Sequence, residues 1–371
     1  MTIQQLEKDY GDFYVPTHVT KVGGKDLVRD LFLTVSSVSV DLKERVSGRF
    51  SFTVANAFDW KAREFVAGQG SDRVELLDLF AFGSPVEISL GYGDPTDVVK
   101  QQTLTGLITT LSTNFAAGGT PELTISGYDD LYRLTVGKHT RHWEPGRDSE
   151  AVSDVVGDHK ISTKIPQVGP EKPRIDQHEQ TDLSFVEKLA KRNGATYYMR
   201  AGKFYFGPRQ NKKSKALELL WGKGLVSFSP EANLAHQTSE VKVHGWSAAK
   251  GEPILGHARR GDETGRDTRA ESGGDRVATA LGKAPVVSVR AALHTQAEGD
   301  ARARGLLEER AHEFVSGRGE SVGIPDIVPD VNIFLGGMGA GFSKTYLITE
   351  ASHTINSSGY RTSFNVRETT V

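Results

Sequence analysis

The residues best placed to do chemistry are few and scattered. His139 and His142 lie three apart, with Glu144 and Asp148 close behind, a set that suits a divalent metal if a helix presents it. Pro145-Gly146 follows at once, so the segment reads as a connector, not a helix. Glu308, Glu309 and Glu313 offer carboxylates of the kind glycoside hydrolysis requires, but on a charged helix they read as a solvated face. Gly336-Gly337-Met338-Gly339-Ala340-Gly341 is rich enough in glycine to cradle a phosphate, yet no lysine and capped helix follow. Lys212, Lys213 and Lys215 have no interleaved aromatics on which bases would stack, so they read as a solvated loop. His353 sits in a strand and reads as structural. There is no cysteine, which removes thiol nucleophiles, disulfides and cysteine-ligated zinc together. These patterns predict no catalytic residue, no metal and no cofactor.

The elements that would have to hold such groups are mostly strands. The 371 residues predict two or three domains, and a net charge of −2 gives no basic footprint for nucleic acid. The first residues lack the apolar stretch of a secretory signal, and no run reaches the roughly 20 apolar residues of a membrane helix. The chain is expected to be made in the cytoplasm. Residues 48–55 alternate, with Phe50, Phe52 and Val54 on one side and Arg49, Ser51 and Thr53 on the other. Similar strands are expected over 31–40, 82–92, 104–113 and 122–128, forming a closed or nearly closed barrel.

One pattern occurs twice. Val86, Ile88, Leu90 and Gly91 read V-x-I-x-L-G, and so do Val331, Ile333, Leu335 and Gly336. Leu107-Ile108-Thr109 follows the first and Leu347-Ile348-Thr349 the second, each with a further alternating strand behind it. The predicted fold is therefore mainly β: two related antiparallel β-barrel domains, a small α/β insert and a helix in the C-terminal half. The expected divisions are 1–147 for the first barrel, 148–210 for the insert and 211–371 for the second barrel. The last is interrupted at about 257–318 by a helix and a charged, glycine-rich loop at 257–276. In the insert, Asp148-Ser149 caps a helix to Val156, and Thr181-Asp182 caps another that stops at Asn193-Gly194. A hairpin follows around Ala201-Gly202.

Two stretches resemble a known group. Gln180-Thr181-Asp182-Leu183-Ser184-Phe185-Val186 with Leu189-Ala190, Gly194 and Tyr197-Tyr198 form one. Pro329, Val331, Gly336, Gly339, Phe342-Ser343, Tyr346, Thr349, His353, Gly359-Tyr360, Thr362 and Phe364 form the other, and Val243-His244-Gly245-Trp246 is a weaker third. Together they resemble the bacteriophage late control protein D and tail-hub family, which also forms the N-terminal half of VgrG spike proteins of type VI secretion. Asp330 and Lys344 depart from it, standing where members often carry glycine.

The resemblance implies a structural hub of a phage tail or contractile injection system baseplate. It would be a homotrimeric adaptor joining a hexameric tube to a trimeric spike. Implied partners are a separate spike protein, an inner tube or tail-tube protein and baseplate proteins, with no membrane insertion and no sequence-specific nucleic acid. Implied localisation is a phage virion or an extracellular injection particle. Structural or interface roles are expected for the residues of the two repeated motifs, for Tyr346 and His353, and for the Tyr360/Thr362/Phe364/Val366 face of the last strand. Two other readings stay open. One is a tail-associated peptidoglycan hydrolase with a hub-like domain. The other is a carbohydrate- or nucleic-acid-binding barrel using Tyr197, Tyr198, Phe204, Tyr205 and Phe206.

Overall fold

The computed structural model describes all residues except 69–72, 94–101, 210–216, 249 and 264–269. Lys212, Lys213 and Lys215, and the middle of the expected charged loop, lie outside the described residues.

A short helix, α1 (Ile3–Asp9), is capped by the Thr2 hydroxyl and precedes the first barrel. That barrel comprises β1 (Pro16–Val22), β2 (Thr34–Lys43), β3 (Arg49–Ala55), β4 (Pro85–Tyr92), β5 (Gln102–Thr113) and β6 (Leu123–Asp129). The insert contains β7 (His139–Trp143), α2 (Asp148–Asp158), β8 (Ile175–Gln180), α3 (Asp182–Asn193), β9 (Thr196–Arg200) and β10 (Lys203–Gly207). Next come β11 (Leu217–Trp221) and β12 (Gly224–Ala232). A separate unit follows, with β13 (Glu240–Ser247), β14 (Glu252–Arg259), α4 (Gly273–Leu281), β15 (Val286–Arg290) and α5 (Gln296–Ala311). The chain ends with β16 (Val315–Val322), β17 (Asn332–Gly336), β18 (Lys344–Asn356) and β19 (Gly359–Glu368).

The first six strands lie in the order β1-β4-β5-β6-β3-β2, and the last six barrel strands in the order β11-β17-β18-β19-β16-β12. Numbered by appearance within each set, both read 1-4-5-6-3-2. The repeated V-x-I-x-L motifs therefore lie on equivalent strands but two residues out of register, since Pro85 pairs with Leu107 and Asn332 with the equivalent Leu347. Their faces are also alike: Val86, Ile88 and Leu90 lie in one core, Ile333 and Leu335 in the other, with Val331 packed at its margin. Two β-bulges repeat as well. Thr109 is the extra residue between β5 and β6, and Thr349 is the extra residue between β18 and β19. Ser36 in β2 and Val226 in β12 are likewise skipped against β3 and β16.

The copies differ in three ways. β11 runs parallel to β17, whereas β1 is antiparallel to β4. Residues 224–225 of β12 pair with β11 and close the second barrel, while β1 and β2 do not pair. Core volume has also migrated. Phe50 and Phe52 fill the first barrel, and the equivalent positions in β16 are Gly317 and Gly319. There the rings of Phe228 and Phe364 occupy the space, 2.5 and 2.4 Å from where a Cβ would stand.

The expectation for 211–371 needs correction. Val241–Gly245 is not a barrel strand. It belongs to a separate three-stranded sheet, β14-β13-β15, whose own core forms around Val241, Val243, Ile254 and Leu307. The interruption is thus larger than 257–318. The supposed loop also overlaps regular elements, since β14 runs to Arg259 and α4 begins at Gly273 behind a Ser272 cap. Helix α5 lies against this sheet where Gly256 and Gly299 meet: a Cβ on Gly256 would stand 2.1 Å from the Gly299 carbonyl oxygen. Among the described residues no helix is long and apolar enough to cross a membrane.

The compensation at Gly319 predicts a specific sensitivity. Gly319→Ala places a methyl against the Phe364 ring in a packed core and should cost about 1–3 kcal/mol. A fall in the urea midpoint followed by intrinsic fluorescence checks this. An unchanged midpoint would mean that the ring has room to move.

Candidate functional site at the junction of the two barrels

The chemical candidates do not converge. His139 and His142 lie on strand β7, so a separation of three puts them on opposite faces. His139 is 3.9 Å from Asp182 and His142 is 3.8 Å from Glu144. Asp148 is fully buried, and its carboxylate accepts from Lys172 Nζ at 2.9 Å, from Asn193 and from the Arg192 guanidinium. Burial alone would raise this carboxyl, but Arg192 and Lys172 hold it below the usual range. Lys172 also reaches Glu298 of α5 at 2.9 Å, which ties the insert to the separate unit. No group of three metal-ligating side chains occurs among the described residues.

Glu309 pairs with Arg45 at 3.4 Å, and Glu308 lies 3.8 Å from His312. Glu309 and Glu313 border a groove of about 650 Å³ that also holds Arg45, Arg209, Arg318 and Arg367. The Gly336–Gly341 run becomes a single helical turn at Gly339–Phe342. Tyr197, Phe204 and Phe206 are buried against α2 and α3, and Tyr198 is buried too, so the β9–β10 hairpin is a packing element.

What does converge lies where the barrels meet. The second half of β18 pairs with β2, with Lys43 opposite Glu350, Asp41 opposite Ser352, Val40 opposite His353 and Val38 opposite Ile355. Lys43 Nζ sits 3.3 Å from Glu350, and the Ser352 hydroxyl donates to Asp41. Beneath this ladder His353 is wholly buried. Its Nε2–H donates to the Ile327 carbonyl at 3.0 Å. That fixes the tautomer and leaves Nδ1 to accept, 2.9 Å from the Tyr360 hydroxyl and 3.1 Å from Thr362 Oγ1. Thr362 Oγ1 accepts from Ile324 N–H at 3.0 Å. The Tyr360 ring stands 5.6 Å from that of Tyr92, whose hydroxyl donates to the Gly323 carbonyl at 2.8 Å. Tyr10, just behind α1, lies against Tyr92 with its ring tilted and donates to Asp326 at 2.7 Å.

The interface candidates on β19 therefore need correction. Tyr360 and Ile355 belong to the first core, and Tyr346, Phe364 and Val366 to the second. Both edges of β19 are paired, to β16 and β18. This face is consumed within the chain and leaves nothing for a subunit contact.

Several anchoring residues carried no sequence signal. Glu44, just past β2, accepts through Oε2 from Thr196 at 3.0 Å and from Arg209 at 3.0 and 3.2 Å. Arg45 N–H donates to the Tyr197 carbonyl at 2.9 Å, and its guanidinium donates to the Ala195 carbonyl at 2.8 Å. Asp330 was visible only as a departure from glycine. It adopts φ of 60°, a left-handed conformation that aspartate tolerates, and its carboxylate accepts from the Tyr198 hydroxyl at 3.0 Å.

Two barrels of one topology, joined by a shared strand and braced by an insert, can be set against known proteins. The sequence matches the Alg8 N-terminal domain family over residues 70–357. The chain belongs to that family. No curated protein sequence matches it. Among solved structures this Alg8-type chain is similar to the 43 kDa tail protein of prophage MuSo2 from Shewanella oneidensis. The TM-score is 0.67 and the identity 14%, covering 95% of this chain and 98% of that one. A tail protein from Neisseria meningitidis gives a TM-score of 0.66 at 14% identity, covering 96% and 97%. An Escherichia coli component of the type VI secretion system gives 0.55 at 12% identity, covering 94% and 76%. At such identities the likeness is one of fold.

The buried histidine predicts a pH effect. Burial holds the His353 pKa down to about 4, against 6.5 for a free imidazole. The unfolded chain therefore binds the extra proton first as pH falls, so the His353 contribution is present above about 6.5 and is lost towards about 4. The loss amounts to about 3 kcal/mol. Burial pushes Asp129 the other way, up to about 7, so the whole-protein curve mixes opposed slopes. The difference between wild type and His353→Gln isolates the imidazole. Their urea midpoints should lie well apart near pH 7.5 and converge near about pH 4.5. Parallel curves would show that His353 does not titrate as described.

Proposed function

We propose that this chain is a structural hub of a phage tail or contractile injection baseplate, related to the late control protein D group. Three copies form an adaptor between a hexameric tube and a trimeric spike. The single observation that supports this most strongly is the six-strand order found twice in one chain, with both bulges repeated. A six-fold and a three-fold object cannot meet through equivalent contacts unless something between them has both symmetries. A trimer of duplicated barrels offers six similar units and three identical chains. The fold shared with tail proteins over nearly the whole chain supports the same reading. The partners on this reading are the separate spike, the tube protein and baseplate proteins, in a virion or an extracellular particle.

Counting copies in the purified particle tests the proposal. Quantitative mass spectrometry or cryo-electron microscopy should find three copies at the tube–spike junction, and any other number defeats it.

We also propose that the chain is not an enzyme. Its half-buried Glu309 and exposed Glu313 share their groove with four guanidinium groups. In zymograms the purified protein should leave peptidoglycan intact. Clearing that vanishes on Glu309→Gln or Glu313→Gln would establish the hydrolase reading instead.

A further inference from the structure

The duplication also says where copies of this chain touch. This step rests on the trimeric hub reading and deepens it. The intramolecular junction is built from two half-sites. One is the edge of β2 not used by β3. The other is the stretch of β18 beyond its bulge, residues 350–355, on the side that β17 has vacated. Each half-site has a counterpart in the other barrel, and both counterparts are open.

The counterpart of β2 is β12. Pairing through β3 and β16 makes Val38 equivalent to Phe228 and Asp41 equivalent to Glu231. On its far side β12 pairs with β11 only at Gly224 and Leu225, and no described strand lies beside residues 226–232 there. Val226 is 46% exposed. Pro230 has no N–H, as expected of an edge that must not recruit partners at random.

The counterpart of residues 350–355 is the end of β5. Aligning the two bulges makes Leu111 equivalent to Ala351, Ser112 to Ser352 and Phe115 to Ile355. β4 and the residues leading into it cover β5 only as far as Ile108, and β6 takes the other side, so residues 110–113 keep one open edge among the described residues. This edge borders a cleft of about 470 Å³ lined by Leu111, Leu77 and a cluster in which the Phe115 ring packs on Phe58 and Phe65. Phe115 is 65% exposed and Leu77 53%. That is an apolar slot beside an unfilled strand edge, in the position that β2 fills at the internal junction.

We propose that β12 of one copy adds to the end of β5 of the next, antiparallel and in the register of β2 on β18. Leu111 then faces Ala232, Ser112 faces Glu231, and Phe115 faces Phe228. Ser112 and Glu231 restate the Ser352–Asp41 hydrogen bond of the internal junction with one more methylene. Each copy has one open half-site of each kind, so the contact is head-to-tail and a rotation that closes gives a ring.

The chain has no cysteine, so engineered pairs report without background. Antiparallel partners have Cα atoms about 4.5–5.5 Å apart, within the range a disulfide spans. Ser112 and Glu231 are exposed, so replacing them should leave the fold intact. Under mild oxidation, a chain carrying both Ser112→Cys and Glu231→Cys should give covalent dimers and closed trimers and nothing larger. Either single variant should give no species above a dimer. Asp41→Cys with Ser352→Cys is the internal control and should close within one chain without change of mass. Trimers in native mass spectrometry, with the control pair closing but Ser112→Cys/Glu231→Cys failing to link, overturn this contact and leave the hub reading standing. An open ladder beyond three also overturns it. Absence of trimers both in solution and in the particle removes the hub reading, and this contact with it.

Discussion

Everything in this molecule is referred to one strand that serves two barrels. The first part of β18 pairs with β17 and puts Tyr346 and Ile348 into the second core. Thr349 then interrupts the ladder, and the strand crosses to pair with β2 and delivers Ile355 to the first core. A bulge bends a strand and sharpens its twist, which is what such a crossing needs. Because backbone hydrogen bonds run through the crossing, the two barrels form one continuous sheet, and their relative orientation is set by strand register. His353 sits at the crossing itself. Neutral and held from both ring nitrogens, it satisfies the Ile327 carbonyl and two hydroxyls with no uncompensated charge in a dry interior.

The insert is attached by a different kind of force. Asp148, Lys172 and Glu298 are all nearly inaccessible and lie in one chain of contacts from the insert to α5. Burying such groups gains little stability over an apolar equivalent, because desolvation offsets much of the attraction. What they supply here is direction, since each charge is satisfied in only one pose. Glu44 and Arg45 act similarly at the end of β2, where Arg45 adopts a positive φ of 61° so that its N–H and guanidinium both reach the start of β9. At the close approach of α3 and α5, a Cβ on Gly305 would stand 2.9 Å from the Gly194 Cα, which leaves no room for a side chain. The frame that carries the barrels is therefore braced from the outside by polar contacts of fixed geometry.

Period-two patterning made the strands legible, and the repeat V-x-I-x-L-G placed β4 and β17 in equivalent positions because a strand buried on one face must alternate. The Thr181 cap and the Gly194 stop bounded α3 almost to the residue. Pairing was less legible. Val241 and Val243 alternate as well as any barrel strand, and nothing local says that they join a separate sheet. The apolar face of Tyr360, Phe364 and Val366 was visible, but not what it covers. A buried stripe looks the same in sequence whether a core or another subunit lies against it. Asp330 and the Glu44–Arg45 pair were hidden for a further reason: their roles depend on partners more than 100 residues away and on backbone angles that no spacing reveals.

The comparison of the two barrels separates what can drift from what cannot. Aromatic volume has moved from β3 in one copy to Phe228 and Phe364 in the other, and the first strand has even reversed its direction against its neighbour. A core accepts such exchange provided its total volume is kept. The bulges have not moved: Ser36 with Val226, and Thr109 with Thr349, hold equivalent places although none of the four fills a core. Removing a bulge shifts register by one residue and turns every later side chain to the wrong face. In β18 the segment past the bulge is the one handed to the neighbouring barrel. In β5 the same backbone device is kept, yet among the described residues no strand pairs with that segment on its outer side. The proposed contact between copies is what would give that retained device its work.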